Sequence, residues 1–300
     1  MNTYKWIDKN CGSLKGKTVA ITGSTGGIGE WLCDFSLYLG ARLVLLDRNP
    51  QKQTALKNKL IKKYPSAEIS PLLIDLENEN SVFSACDKLE ELPLDILILN
   101  AGAYSIPRKI TASGFDNVFT INFLSPYYIV NRLLPNLKER GGKVVAVGSI
   151  AHNYSKSNPE NPDFKDIKKA SLVYGNAKRY LMFSLYELFK NTDKATLSVA
   201  HPGITLTGIT AHYPKLIFAL IKHPMKIIFM KRQVAALNIL KGCFSATGYH
   251  EWLGPKYFDI WGLPTLKTLK TATRKESENI FKTAEKTLEK YSEHKEKRTL

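Results

Sequence analysis

Tyr174 and Lys178 stand four residues apart in the stretch Leu-Val-Tyr-Gly-Asn-Ala-Lys, and their types suit proton transfer. The stretch leads into an apolar helical pattern through Leu181, Phe183, Leu185 and Leu188. Residues at this spacing share one face of a helix. An ammonium beside a phenol favours the phenolate and draws its pKa down from about 10. A tyrosine tuned in this way takes a proton from an alcohol or gives one to a carbonyl. Alone the pair is a weak signal, because these types meet at this spacing on many surface helices. Its weight comes from a second motif far upstream.

Residues 17–29 read Lys-Thr-Val-Ala-Ile-Thr-Gly-Ser-Thr-Gly-Gly-Ile-Gly. The run 18–21 is short, apolar and β-rich, as expected of a strand buried on both faces. It breaks into Gly23, Gly26, Gly27 and Gly29, then resumes with helical spacing through Trp31, Leu32, Phe35 and Leu39. Strand, glycine turn and helix form a phosphate site. Glycines let the backbone approach a pyrophosphate, and the helix N-terminus offers free N–H groups and a positive dipole end. The plain alternative is a glycine-rich turn that holds no ligand.

At this point the residues carry a family resemblance. Thr22-Gly-Ser-Thr-Gly-Gly-Ile-Gly29 resembles the Thr-Gly-x-x-x-Gly-x-Gly turn of the short-chain dehydrogenases/reductases. Further matches arrive in that family's order: Asn100-Ala101-Gly102 after the run 96–99, Asn122 within Phe-Thr-Ile-Asn-Phe, and Ser149 after 144–147. Tyr174 and Lys178 follow, then Pro202-Gly203 after the run 197–200. The resemblance covers roughly residues 15–260. Two departures are mild. Gly148 precedes Ser149, where it is expected to leave room near the nicotinamide, and Leu99 rather than a second Asn precedes Asn100.

The resemblance implies a catalytic set of Asn122, Ser149, Tyr174 and Lys178. Tyr174 would exchange the proton, Ser149 would hold the substrate oxygen, and Lys178 would lower the tyrosine pKa and bond the nicotinamide ribose. Asn122 would position a water linking Lys178 to solvent. It also implies a dinucleotide held by Gly23, Ser24, Thr25, Gly27, Ile28 and Gly29, by Asn100, Ala101 and Gly102, and by Pro202, Gly203 and Ile204. Thr205 or Thr207 would bond the carboxamide, and the two are not separated by the sequence. Asp75 and Leu76 resemble the residues at the adenine edge; the other reading of Asp75 is a cap for the helix near Asn78. Asp47 ends the second strand about 20 residues past the glycines, where an acid bonds the ribose hydroxyls and repels a 2′-phosphate. Arg48 argues the other way, since a guanidinium there clamps that phosphate. NAD is preferred to NADP.

The positioning elements follow. The 300 residues, 44% hydrophobic, alternate strand and helix without a linker, and are read as one α/β domain over 1–300. Strands are expected near 17–22, 42–46, 69–74, 95–99, 143–148, 196–200 and 255–259, in a Rossmann-type doubly wound parallel sheet of about seven strands. A helical substrate lid is expected over about 204–232, and a helical tail over about 272–300 that holds to near Tyr291 and frays beyond it. Residues 152–172 insert a long polar segment before Tyr174. That insertion, Ser149-Ile-Ala-His152 and Lys256-Tyr-Phe258 resemble the retinol dehydrogenase-like branch, which implies a large apolar substrate.

Cys11, Cys33, Cys86 and Cys243 lie far apart and form no metal-binding spacing. The N-terminus lacks the apolar core of a signal peptide, and no apolar run is long enough to span a bilayer, so a cytoplasmic protein is expected. Lys and Arg number 43 against 27 acids, a formal charge of +16. The basic residues are spread along the chain without a nucleic-acid motif, so no specific nucleic acid is expected. Residues 214–232 combine short apolar blocks with lysines and no acids, which suits a packed lid, peripheral contact with anionic membrane or a subunit contact. Family members commonly form homo-oligomers. The sequence is read as an NAD(P)-dependent oxidoreductase of a hydrophobic alcohol or carbonyl. A silent dinucleotide-binding redox sensor and a peripheral membrane-binding protein are the other classes.

Overall fold

The computed structural model describes residues 2–205 and 229–296. The lid residues 206–228 lie outside them, as does Thr207. Strands β1 (Thr18–Thr22), β2 (Arg42–Asp47), β3 (Ile69–Leu73), β4 (Leu94–Leu99), β5 (Lys143–Val147), β6 (Thr196–Ala200), β7 (Glu251–Tyr257) and β8 (Trp261–Thr268) form one sheet. Their order is β3-β2-β1-β4-β5-β6-β7-β8. All pairs are parallel except the last, β7 with β8. Every residue of β1 and β4 is buried. Such runs need cover on both sheet faces, and helices supply it.

Helices α1 (Thr3–Asn10), α2 (Gly29–Tyr38), α3 (Pro50–Lys63) and α8 (Arg232–Gly242) cover one face. Their core includes Ile7, Leu32, Phe35, Leu56, Leu237 and Leu240. The other face carries α4 (Glu79–Glu90), α5 (Asn117–Phe119), a π-helical turn (Thr120–Leu124), α6 (Ser125–Glu139), α7 (Ala170–Lys190) and α9 (Arg274–Glu296). There Phe83, Phe119, Tyr180, Phe183, Ile280 and Tyr291 pack together. A 3-10 turn (Ile150–Tyr154) links β5 to the segment before α7.

Local chemistry fixes several starts. Asn49 and Asn78 cap α3 and α4 by accepting the N–H of Lys52 and of Ser81, and Pro50 opens α3. Three elements depart from expectation. Strand β7 starts at Glu251, ahead of the expected 255, and a hairpin partner β8 extends the sheet. Pro264 and the mixed exposure of β8 hide an edge strand from pattern reading. The connecting turn uses Phe258 and Asp259 at positive φ (52° and 57°), residues that carry no hairpin signal. Finally, α9 continues past Tyr291 to Glu296.

Candidate active site

Strand order reverses direction at β1 and β4, so a crevice opens beyond their carboxyl ends. Asn100 closes its floor: its amide donates to the carbonyls of Thr22 (3.0 Å) and Gly23 (3.1 Å). The Ala101 N–H donates to Thr22 Oγ1 at 3.0 Å. Gly29 must be glycine, because a Cβ there would lie 2.1 Å from the Gly23 carbonyl. This close approach turns the α2 N-terminus into the crevice, and Ile28 at its cap supplies no side-chain bond. Ser24 is placed differently from the other turn residues. Its side chain is buried, does not line the crevice, and its hydroxyl has no hydrogen-bond partner among the described residues.

The crevice holds a cavity of about 340 Å³ lined by Gly23, Thr25, Gly27, Ile28 and Gly29, by Asp47 and Arg48, by Asp75 and Leu76, and by Asn100, Ala101 and Gly102. Lys52, from the first turn of α3, also lines it. That cation was not singled out in the sequence, because its place depends on how α3 leaves β2. Asp47 uses both oxygens: one accepts the N–H (3.0 Å) and hydroxyl (2.7 Å) of Thr25, the other the Arg48 N–H (2.9 Å). Asp75 accepts the Glu77 N–H at 3.1 Å, and the α4 cap belongs to Asn78 instead. Glycine cradle, uncapped helix end and acids at the strand ends suit a dinucleotide.

Asn122 and Lys178 meet beside Gly102. A Cβ on Gly102 would lie 2.8 Å from Asn122 Oδ1 and 3.7 Å from Lys178 Nζ. Asn122 sits in the π-helical turn, fully buried; its Oδ1 accepts the Ala103 N–H, and its amide donates to the carbonyls of Ala103 and Val118. Lys178 Nζ donates to the Val147 carbonyl at 2.9 Å and lies 5.9 Å from the Tyr174 ring centroid. The Ser149 hydroxyl faces the Tyr174 phenol, and Tyr104 packs edge-on against that ring at 5.4 Å. Burial pushes Tyr174 up to about 12, against the Ser149 hydroxyl, which draws it down. Burial pushes Lys178 down to about 8. The expected lowering of the phenol by Lys178 is not found: burial dominates, Tyr104 adds to it, and only Ser149 opposes them.

Two residues that hold this group together carry no sequence signal of their own. A Cβ on Gly175 would lie 2.2 Å from the Ala151 carbonyl, so glycine lets α7 approach the 3-10 turn that follows Ser149. Arg179, nearly fully buried, donates to the carbonyls of His152 and Thr271 and pairs with Glu276 of α9. Gly148 corrects an expectation. A Cβ there would meet Met182 Sδ at 2.9 Å and Val199 Cγ1 at 3.3 Å, so it serves packing between β5, β6 and α7 rather than leaving room for a ring. The insertion before Tyr174 forms a wall: Arg108 donates to the carbonyls of Phe164 and Ile167, and Phe164 and Val173 pack with Tyr174. Pro202 and Gly203 follow β6, with Gly203 at φ 84° against the Ile260 carbonyl. Ile204 accepts the Met230 N–H, and Thr205 is half-buried beyond it.

The sequence pattern of the short chain dehydrogenases matches residues 17–159. An uncharacterized oxidoreductase of Schizosaccharomyces pombe is 30% identical over 277 residues, 86% of this chain and 81% of that protein. The chain belongs to the short-chain dehydrogenase/reductase family. Retinol dehydrogenase 14 of Mus musculus is 32% identical over 216 residues, 67% of this chain and 65% of that protein. Among solved structures, an uncharacterized protein from Mycobacterium paratuberculosis superposes with TM-score 0.72 at 21% identity, covering 93% of this chain and 95% of that one. The same fold occurs in a Burkholderia phymatum family member in complex with NAD (TM-score 0.54, 19% identity, 75% and 84% covered). It also occurs in an Agrobacterium tumefaciens 3-oxoacyl (acyl-carrier-protein) reductase with NADP bound (TM-score 0.59, 21% identity, 78% and 92% covered). The chain is thus an oxidoreductase of a family whose structures hold NAD or NADP.

Proposed function

We propose that this oxidoreductase interconverts a hydrophobic alcohol and its carbonyl, with Tyr174 as general acid and base. The observation that carries the reading is the Ser149–Tyr174 hydroxyl pair beside Lys178, next to a crevice shaped for a dinucleotide. When bound, the nicotinamide supplies or accepts the hydride. The chain's own residues handle the proton. Ser149 donates to the substrate oxygen and holds it against the phenol, and Tyr174 takes or returns its proton. Lys178 keeps positive charge behind the ring, and Asn122 fixes the loop of Ala103 beside it.

The apolar substrate rests on Tyr104, Ile106 and Val118 packed beside Tyr174, and on a relative named for retinol. We infer NAD as the preferred cofactor, because Asp47 faces the crevice where a 2′-phosphate would meet its charge; Arg48 and Lys52 line the same end and oppose that preference. A silent redox sensor on this fold would have no need of the Ser149–Tyr174 pair. The buried thiols Cys33, Cys86 and Cys243 suit a reducing cytoplasm. Among the described residues no helix is long and apolar enough to cross a membrane. Peripheral contact with anionic membrane is supported by Phe258, 79% exposed on the β7–β8 turn beside Lys256. A homo-oligomer would have to form away from the face of α7 that α9 covers.

A thermal-shift titration with NAD, NADH, NADP and NADPH tests the reading, since a ligand of the folded state raises apparent stability. Selective stabilisation by NAD or NADH is expected. Selective stabilisation by the phosphorylated pair would assign the choice to Arg48 and Lys52, and no shift from any of the four would contradict an enzyme.

A further inference from the structure

Arg232 opens α8, on the far side of the lid from the glycine turn in sequence. In space its side chain reaches Gly27. A Cβ built on Gly27 would fall 2.7 Å from Arg232 Cδ, 2.8 Å from Nε and 2.9 Å from Nη1. The guanidinium edge therefore sits at the glycine that admits a pyrophosphate.

Topology explains the meeting. Helix α2 leaves the carboxyl end of β1, and α8 precedes β7, which runs parallel to β6, so both helix N-termini lie at the carboxyl ends of the strands. Their sides pack in one core, Leu32 and Phe35 of α2 with Ala236, Leu237, Ile239 and Leu240 of α8. Gln233 anchors the first turn by donating to Thr3 Oγ1 at 2.6 Å. Neither N-cap, Ile28 or Lys231, makes a side-chain capping bond. Two positive helix ends and a guanidinium converge on Gly27.

We propose that Arg232 is a phosphate-binding residue: it grips the dinucleotide pyrophosphate at Gly27, together with the α2 N-terminus. The inference rests on the dinucleotide reading above and adds a residue from beyond the lid to that site. A guanidinium offers paired N–H donors that fit two phosphate oxygens, which a lysine cannot reproduce.

The test is calorimetric binding of ADP-ribose, ADP and adenosine to the wild-type chain, Arg232→Ala and Arg232→Lys, at low and high salt. Arg232 is exposed, and matching thermal melts confirm that each variant folds. Arg232→Ala should weaken ADP and ADP-ribose about ten- to hundredfold and leave adenosine unchanged, the loss expected of a charge-assisted pair. Arg232→Lys should recover part of the loss, and salt should narrow the gap between wild type and Arg232→Ala. Unchanged ADP binding in Arg232→Ala overturns the proposal. Tighter binding also overturns it, because Arg232 would then merely occupy the seat. If the wild type binds none of the three, the dinucleotide reading itself falls, a result distinct from the failure of Arg232.

Discussion

Lys178 shows what the site imposes on the fold at the scale of one residue. Its ammonium is buried against the Val147 carbonyl, and burial brings its pKa from 10.5 down to about 8. Below pH 8 the folded protein holds a buried charge that the unfolded chain holds in water, so the group opposes folding there. As pH rises from 8 toward 10.5 the unfolded state binds more protons, and that penalty fades. Lys178→Met should therefore raise stability at pH 7 by about 2 kcal/mol, allowing for the lost bond to Val147, and by less at pH 10. Denaturant melts at the two pH values check this; a destabilised variant at pH 7 would contradict it. Tyr174 sets a second pH dependence. Burial holds its phenol up at about 12, so alcohol oxidation, which needs the phenolate, should rise with pH through the alkaline range. Carbonyl reduction, which uses the neutral phenol, should hold its rate until strongly alkaline pH. Initial rates in both directions across pH separate the two, and an oxidation rate that falls above neutrality would count against Tyr174 as base.

Element-scale geometry decides whether Ser149 reaches Tyr174. The 3-10 turn after Ser149 touches α7 only because residue 175 lacks a side chain. Gly175→Ala should push the two apart, reduce turnover at least tenfold, and destabilise the fold by about 1–3 kcal/mol while cofactor affinity stays near normal. Steady-state kinetics beside cofactor titration check this, and unchanged turnover would show that the contact does not set the site. Much of this scale was legible beforehand. Buried apolar runs ending in Gly23, Asn100 and Ser149 marked β1, β4 and β5, because fully covered strands and glycine turns leave a local pattern. Gly175, Arg179 and Lys52 were not legible, since their importance depends on which elements meet. Nor was β8, whose Pro264 and glycine-free turn give no strand or hairpin signal.

Across the whole molecule, the C-terminal helix closes the layer behind the site. Tyr291 is fully buried against Phe83 and Tyr128, and its hydroxyl pairs with Ser125. Glu276 of the same helix holds Arg179, one residue beyond Lys178. Tyr291→Ala should cost about 3–5 kcal/mol through the cavity it leaves. A loss under about 1 kcal/mol in chemical denaturation would mean that α9 contributes little to the core. The amphipathic stripe of the tail announced this helix, but its partners came only from the fold. The charge of +16 bears on association rather than on this core.

The central claim is that Tyr174 carries the proton in an oxidoreductase reaction on an apolar alcohol. The most direct test compares wild type with Tyr174→Phe in NADH formation from a panel of apolar alcohols, with cofactor affinity measured in parallel. The account predicts turnover by the wild type, and a loss of about 10²- to 10⁴-fold in Tyr174→Phe, at near-equal cofactor affinity. Near-normal turnover by Tyr174→Phe with cofactor bound would contradict it.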